Sequence, residues 1–266
     1  VVLDTPYMRS EKLLIEIYEC RQNHINVEEL PHFLERVFRK VPLLHIESGD
    51  KIINSEMQVE QKSLPLVRFF NVSVSLLVLT VYLTCILPCI VIAMIISMPG
   101  PIFFIQKRVG LFDQIFSIYK IRTMHTEQKQ LKKEDLSWAQ NNDPRIPFLG
   151  KILRQLKLDE FPQFYNVIKG EMNIVGPRPQ MLTMIDKYET IIPYYSRRHL
   201  VRPGLSGWAQ INHPALTSTE DVIIGLQYDL YYVKHRSLVF DIYIIFMTSF
   251  HIIKMGLQSR KKASKE

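Results

Sequence analysis

Two adjacent carboxylates, Asp159 and Glu160, lie in the run Leu158-Asp159-Glu160-Phe161-Pro162-Gln163, with Arg154 five residues ahead of the first. Like charges held side by side repel, so such a pair calls for a cation or a metal ion beside it. One carboxylate can then act as a nucleophile while the other holds a divalent ion. A structural reading competes: an Asp-Glu step ahead of a helix also caps the free amides at its N-terminus. Spacing alone does not separate the two.

Cations recur around this pair in the sequence. In Val175-Gly176-Pro177-Arg178-Pro179 the two prolines restrict the backbone around Arg178. That lowers the entropy lost when its guanidinium grips a phosphate, although a rigid turn with a solvated arginine fits as well. Lys120 and Arg122 stand two apart, hence on one side of a strand. Asp143-Pro144-Arg145 and Arg202-Pro203-Gly204 add two rigid turns, each bearing an arginine. Singly, each is ordinary surface charge; together they suit the lining of a diphosphate site. No Walker lysine loop and no GxGxxG is present, so a glycine-rich phosphate loop has no support. Gly204-x-x-Gly207-Trp208 reads as a tight turn with an anchoring aromatic, with stacking on a base as the alternative.

The formal net charge of +7 over 266 residues favours anionic partners such as phosphates or acidic headgroups. Hydrophobic residues make up 47% of the chain and are unevenly spread, which argues against a nucleic-acid partner. Three cysteines make no disulfide framework; Cys85 and Cys89 lie in an apolar run and read as buried small hydrophobes. With no zinc-type spacing either, a reducing, cytoplasmic setting is expected. The sequence opens on Val1 and reads as cut from a longer chain.

The elements that must position these groups divide the chain in four. Residues 1–60 read as an α/β remnant: a short strand at Val1–Asp4, an amphipathic helix over Glu11–Gln22 with Leu13, Leu14, Ile17 and Tyr18 at helical spacing, and a second helix from Val27 to Phe38. Residues 61–98 form a membrane-inserted segment, since Phe69–Met98 holds no Asp, Glu, Lys, Arg or His across thirty residues. As a straight helix it would run about 45 Å, against roughly 30 Å of hydrocarbon. Pro88 should bend it. Lys62 and Arg68 before it, and Lys107 and Arg108 after it, place both ends on the cytoplasmic side, so re-entry is preferred to spanning. Residues 99–258 form the catalytic domain. It opens with strands at Ile102–Gln106 and Ile115–Ile121 and a charged stretch at Glu127–Asp135, followed by helical periodicity at Leu149–Leu156 and Phe161–Ile168. Leu238–Ile253, about sixteen apolar residues, suits an interfacial or packed helix, and residues 259–266 a basic, lipid-attracted tail. The fold class is α/β (α+β, helix-rich) with a proline-bent membrane helix.

Seven motifs in order carry a resemblance: Gln106-x-Arg108-x-Gly110, Lys120-Ile-Arg-Thr-Met124, Asp143-Pro-Arg145, Leu158-Asp-Glu-Phe-Pro-Gln163, Asn166-Val-Ile-Lys-Gly170, Gly176-Pro-Arg-Pro179 and Arg202-Pro-Gly-Leu-Ser-Gly-Trp-Ala-Gln-Ile-Asn212. From about Lys62 to Gly256 the chain resembles the bacterial sugar transferases, the monotopic polyprenyl-phosphate phosphoglycosyl transferases. Residues 1–60 resemble the end of the Rossmann-like domain that precedes the catalytic domain in longer members. The resemblance implies a two-step exchange. Asp159 attacks the phosphorus bearing the sugar of a UDP-sugar donor and expels UMP, and undecaprenyl phosphate then takes the phosphosugar. It implies Glu160 as ligand to Mg²⁺ (Mn²⁺ as the alternative), and Arg154 and Arg178 on phosphate oxygens. Lys120, Arg122, Arg145 and Arg202 are neighbours. It further implies a bacterial inner-membrane enzyme with its catalytic domain on the cytoplasmic face. Such an enzyme initiates exopolysaccharide, capsule or O-antigen glycans, with a homodimer and downstream glycosyltransferases as further partners. A non-catalytic membrane scaffold of such an assembly is the competing reading.

Five positions depart from the family pattern. Asn71 stands for an aspartate that would pair with Arg68, Leu87 for a small residue before the bending proline, and Asp113 for a glycine. His213 and Asn173 replace a common Gly and Ser. Asp tolerates left-handed turn geometry, so the third is expected to be accommodated. Which sugar is carried is not written in the motifs.

Overall fold

A computed structural model describes residues 2–3, 11–43, 65–124, 145–213 and 218–263. The charged stretch Glu127–Asp135, Lys62, Asp143 and Pro144 lie outside the described residues. So do the side chains of Arg260, Lys261, Lys262 and Lys265.

The N-terminal part pairs β1 (Val2–Leu3) in parallel with β2 (Glu28–Glu29) and adds α1 (Glu11–Gln22) and α2 (Leu30–Phe38). In α1, Ile17 is buried as the periodicity requires, but Tyr18 points outward at 63% exposure. Pro31 falls in the first turn of α2, where its missing amide proton costs nothing. After α2 the chain runs into the main body. Val41 is fully buried in the principal core, and its amide donates to the carbonyl of Gln227. Glu35 meets Lys234 at 3.0 Å and His235 at 2.7 Å. The stretch around Val41 therefore contributes to the principal core.

The apolar segment is a continuous helix over Pro65–Ser97. It comprises α3 (Pro65–Val81), a π turn (Tyr82–Ile86) and α4 (Leu87–Ser97). Pro88 has no amide proton and its ring crowds the carbonyl four residues back. The ladder answers by widening just ahead of it, so that the amide of Leu87 donates to the carbonyl of Tyr82, five residues away. Leu87 brings no hydroxyl, but Thr84 Oγ1 donates to the carbonyl of Thr80 at 2.8 Å. One face of the helix is buried through Asn71, Ser75, Tyr82, Ile90 and Met94. The other exposes Leu66, Phe69, Leu77, Ile92, Ile95 and Ile96. Cys85 and Cys89 lie on that outward face, not buried as expected, because this helix is apolar on all sides and lipid-compatible residues carry no inside-outside signal.

At its start the helix is bolted to the domain. Arg68 donates to the carbonyls of Val167 (2.6 Å) and Ile168 (2.7 Å) in the last turn of α6 (Phe164–Lys169), where carbonyls have acceptor capacity to spare and the helix dipole is negative. Asn71 uses both ends of its amide: Nδ2 donates to the carbonyl of Val67, and Oδ1 accepts from the amide of Ile174. An aspartate would keep only the second bond. The departure from the family pattern thus has a local reason.

β3 (Phe103–Val109) and β4 (Ile115–Ile121) form an antiparallel hairpin across a turn in which Phe112 and Asp113 are left-handed, φ 50° and 60°. Asp113 Oδ1 also accepts from His199 Nδ1 at 2.6 Å, which fixes the turn. Next come α5 (Phe148–Gln155), the short 3-10 stretch Leu158–Gln163, α6 and β5 (Asn173–Val175). The remainder is α7 (Leu182–Glu189), β6 (Gly204–Ser206) parallel to β5, α8 (Trp208–Asn212), α9 (Thr219–His235) and α10 (Leu238–Ala263). A capping box at Ser218 and Asp221 starts α9. Trp208 is buried and donates to the carbonyl of Arg39, so it anchors the core and does not present a stacking face. α10 extends ten residues past the expected end at Ile253, its exposed Val239, Ile242, Phe246 and Phe250 forming one stripe.

β5 and β6 approach so closely that a Cβ on Gly204 would lie 2.1 Å from the amide nitrogen of Gly176. Gly204→Ala is therefore expected to cost about 3 kcal/mol through forced separation of the two strands. It would read as a fall in Tm with loss of the pairing that holds the Gly176–Pro179 loop.

Candidate active site

α5 ends at Gln155, and the chain reverses through Lys157, whose φ of 58° and ψ of 15° are left-handed. A lysine there carries roughly 1–2 kcal/mol of backbone strain, held by the surrounding packing. The reversal drops Asp159 and Glu160 into a 3-10 turn against β4 and the apolar helix. Neither carboxylate caps a helix.

Glu160 Oε1 accepts from Lys120 Nζ at 2.9 Å and from Arg178 Nη2 at 2.8 Å. Burial pushes this carboxyl up, but Arg178, Lys120 and Lys157 outweigh it and hold it well below the usual carboxylate range. Asp159 goes the other way. It is 8% exposed and its Oδ1 is buried without a hydrogen bond. Burial first, and the charge of Glu160 second, push its carboxyl up to about 6 against the pull of Lys120, Lys157 and Arg154. Two neighbouring acids are thus driven apart: one permanently charged and clasped by cations, one poised near neutrality with an unspent oxygen.

The cations are themselves fixed. Arg154 donates through Nε to Thr123 Oγ1 at 2.8 Å. The loop carrying Arg178 is pinned at successive carbonyls: Arg198 donates to that of Arg178 (3.0 Å) and Arg108 to that of Pro179 (3.2 Å). Arg198 is in turn paired at 2.7 Å with Asp229, both almost wholly buried. Complete burial pushes the Asp229 carboxyl up to about 6 even beside this guanidinium.

Of the expected site residues, Asp159, Glu160, Lys120, Arg154 and Arg178 converge. Arg122 does not: it lies past the end of β4, and its guanidinium donates to the carbonyls of Met98, Pro99 and Pro101, closing the C-terminus of the apolar helix. Arg202 turns its Nε to the carbonyl of Gly170, at 2.8 Å, beyond the far end of α6. Arg145 is half-buried in the turn leading to α5. Two cations were missed. Arg108 sits close enough to Arg178 and Glu160 to feel their charges; burial and Arg178 bring its pKa down to about 10, and its Nε is buried without a partner. Its signal was the strand register, which sets Arg108 and Gln106 on the face of the hairpin that also carries Lys120, but the expected strand stopped at Gln106. Lys157 had no signal, since nothing in its neighbours marks a left-handed lysine.

Mg²⁺ is held by one or two carboxylates together with substrate phosphates, seldom by an all-protein cage. Glu160 spends Oε1 on Lys120 and Arg178, and its second carboxylate oxygen fits such a shared ion, while Asp159 keeps Oδ1 for the phosphorus. Among the described residues no cluster of three or more His, Cys, Asp or Glu offers a cage.

Fold and site together define an α+β domain that carries a long apolar helix against an acid–cation centre. The chain belongs to the bacterial sugar transferase family, whose model matches residues 62–255. It is 43% identical over 153 residues to the UDP-N-acetylgalactosamine-undecaprenyl-phosphate N-acetylgalactosaminephosphotransferase of Aeromonas hydrophila, covering 58% of this chain and 36% of that one. It is 38% identical over 161 residues to the UDP-glucose:undecaprenyl-phosphate glucose-1-phosphate transferase of Escherichia coli K12, covering 60% and 34%. It is 37% identical over 169 residues to the exopolysaccharide production protein PSS of Rhizobium leguminosarum bv. phaseoli, covering 59% and 81%. The matched part spans about a third of the length of the first two relatives.

Proposed function

We propose that this chain transfers a sugar 1-phosphate from a UDP-sugar to undecaprenyl or another polyprenyl phosphate, as an opening step of exopolysaccharide, capsule or O-antigen assembly. The observation that carries this reading is the unspent, buried Asp159 Oδ1 beside a glutamate clasped by Lys120 and Arg178. The names of the relatives supply the donor and acceptor classes.

In the first step Asp159 Oδ1 forms a bond to the phosphorus bearing the sugar, and the bond from that phosphorus to the bridging oxygen breaks. UMP leaves with the electron pair. In the second, an oxygen of the lipid phosphate attacks the same phosphorus and the carboxylate departs. Lys120, Arg154 and Arg178, with Lys157 and Arg108, neutralise the charge that moves across the diphosphate, the main task in phosphoryl transfer. Mg²⁺, or Mn²⁺ in its place, would be held by Glu160 with Asp159 beside it, and supplies further neutralisation of the donor and leaving group when bound.

A re-entrant helix suits this chemistry, because the donor is soluble and the acceptor lies in lipid. It is supported by contacts at both ends with one domain: Arg68 and Asn71 at the start, Met98 through Arg122 at the end. The same reading puts the catalytic domain on the cytoplasmic face of the inner membrane, with α10 along the interface. A homodimer and downstream glycosyltransferases are the partners proposed.

Purified protein in lipid nanodiscs, given Mg²⁺, undecaprenyl phosphate and a panel of UDP-sugars, is expected to release UMP with at least one sugar. The rate should rise about tenfold per pH unit below pH 6 and level off above it, because only ionised Asp159 attacks. EDTA should lower it at least about a hundredfold, with recovery on adding Mg²⁺. No UMP release with any donor across that panel would refute the reading.

A further inference from the structure

We propose that Tyr82 is a positioning residue for the acid pair, the contact through which the apolar helix sets the shape and the seclusion of the catalytic turn. The proposal rests on the reading of Asp159 as nucleophile and deepens it.

Tyr82 is 1% exposed although it stands in the middle of a helix whose described face is otherwise largely open. It grips the turn on both sides of the two acids. Its hydroxyl donates to the carbonyl of Leu158, the residue before Asp159, at 3.2 Å. Its ring stacks on Phe161, the residue after Glu160, with centroids 5.1 Å apart and planes at 28°. Phe161 in turn meets Phe164 edge-on at 5.7 Å, which ties the clamp to α6. The π turn starts at Tyr82, and its placement has a geometric consequence. Twelve residues at 3.6 per turn would leave Met94 about a third of a turn out of line with Tyr82. The wider π turn takes up most of that difference, so that Tyr82, Ile90 and Met94 all reach the cluster formed with Ile121 and Leu153. The irregularity that Pro88 induces thereby keeps the phenol aimed at the catalytic turn, as π turns often do at working sites.

Two apolar replacements separate this role from ordinary packing, since both keep the helix lipid-compatible. Tyr82→Phe loses only the hydroxyl. In nanodiscs, hydrogen exchange at the amides of Leu158–Phe161 should quicken severalfold, up to about tenfold, and kcat should fall by a similar factor at a donor KM within about twofold of the parent. Tyr82→Leu also loses the stacked ring and lets water nearer to Asp159. Exchange at Leu158–Phe161 should then quicken beyond that of Tyr82→Phe, and kcat should fall further, again at a donor KM within about twofold of the parent. Parental exchange at the turn in both variants, together with parental kcat in both, would overturn the proposal. Should the parent protein transfer no sugar phosphate, the functional reading falls, and exchange at the turn alone decides whether Tyr82 holds it.

Discussion

Asp159→Asn is expected to abolish transfer, by about 10⁴-fold or more, and at the same time to stabilise the protein. The first effect follows from replacing the attacking oxygen by an amide that cannot form and release a phosphoryl bond. The second follows from where the carboxylate sits. Its folded pKa, about 6, lies above the ordinary value near 3.9, so the folded state binds the proton more tightly than the unfolded chain does. Stability from this group is therefore fully present below about pH 4 and lost as pH rises through 6. At pH 7.5 the buried charge costs roughly 1–3 kcal/mol, which Asn removes. The variant should melt several degrees higher than the parent at pH 7.5, with the difference shrinking towards pH 4.5. Differential scanning fluorimetry at the two pH values reads this. Asp229, raised to a similar value, should behave in the opposite way: Asp229→Asn strands the buried Arg198 and lowers Tm. A raised pKa alone does not decide the sign; the partner left behind does.

Glu160→Gln should lower kcat/KM by about 10² to 10³ and shift the acid limb of what remains to lower pH. Glu160 is the second-largest cause raising Asp159, after burial. Removing its charge leaves Lys120 and Arg178 with Asp159 as the nearest anion, so Asp159 ionises more readily. Lys120→Met removes a cation that pulls Asp159 down, and should move the limb the opposite way. A pair of shifts with opposite signs is hard to produce by unfolding, which moves neither. Measuring kcat/KM from pH 4.5 to 8.5 for both variants gives the signs directly.

The acid pair and three of its cations were legible because their chemistry is local: adjacent carboxylates need compensation, and Lys120, Arg154 and Arg178 supply it. Charge type cannot say where a guanidinium is used, however. Arg122 stands two residues from Lys120 and would share its side of a longer strand, but β4 ends at Ile121 and Arg122 turns to the helix terminus. Arg108 was hidden by a strand boundary placed three residues short, at Gln106 instead of Val109. The helix bend was legible in Pro88, whereas its form, a π turn that aims Tyr82, depends on packing across the domain. Cys85 and Cys89 show the limit of soluble-protein logic, since an apolar outer face is what a lipid-facing helix presents. Residues 1–60 read as the end of an upstream unit; that Val41 and Glu35 within them are buried against α9 is a set of contacts only the tertiary fold reveals.

The most direct test of the central claim is covalent trapping. The protein would be incubated with a UDP-sugar that supports turnover and Mg²⁺, without lipid acceptor, then quenched in acid, digested and analysed by tandem mass spectrometry. The account predicts about one UMP released per active site, a sugar-phosphate mass on the carboxyl of Asp159, and its disappearance when undecaprenyl phosphate is added. Turnover with no adduct at Asp159, or an adduct formed equally well in Asp159→Asn, would contradict it.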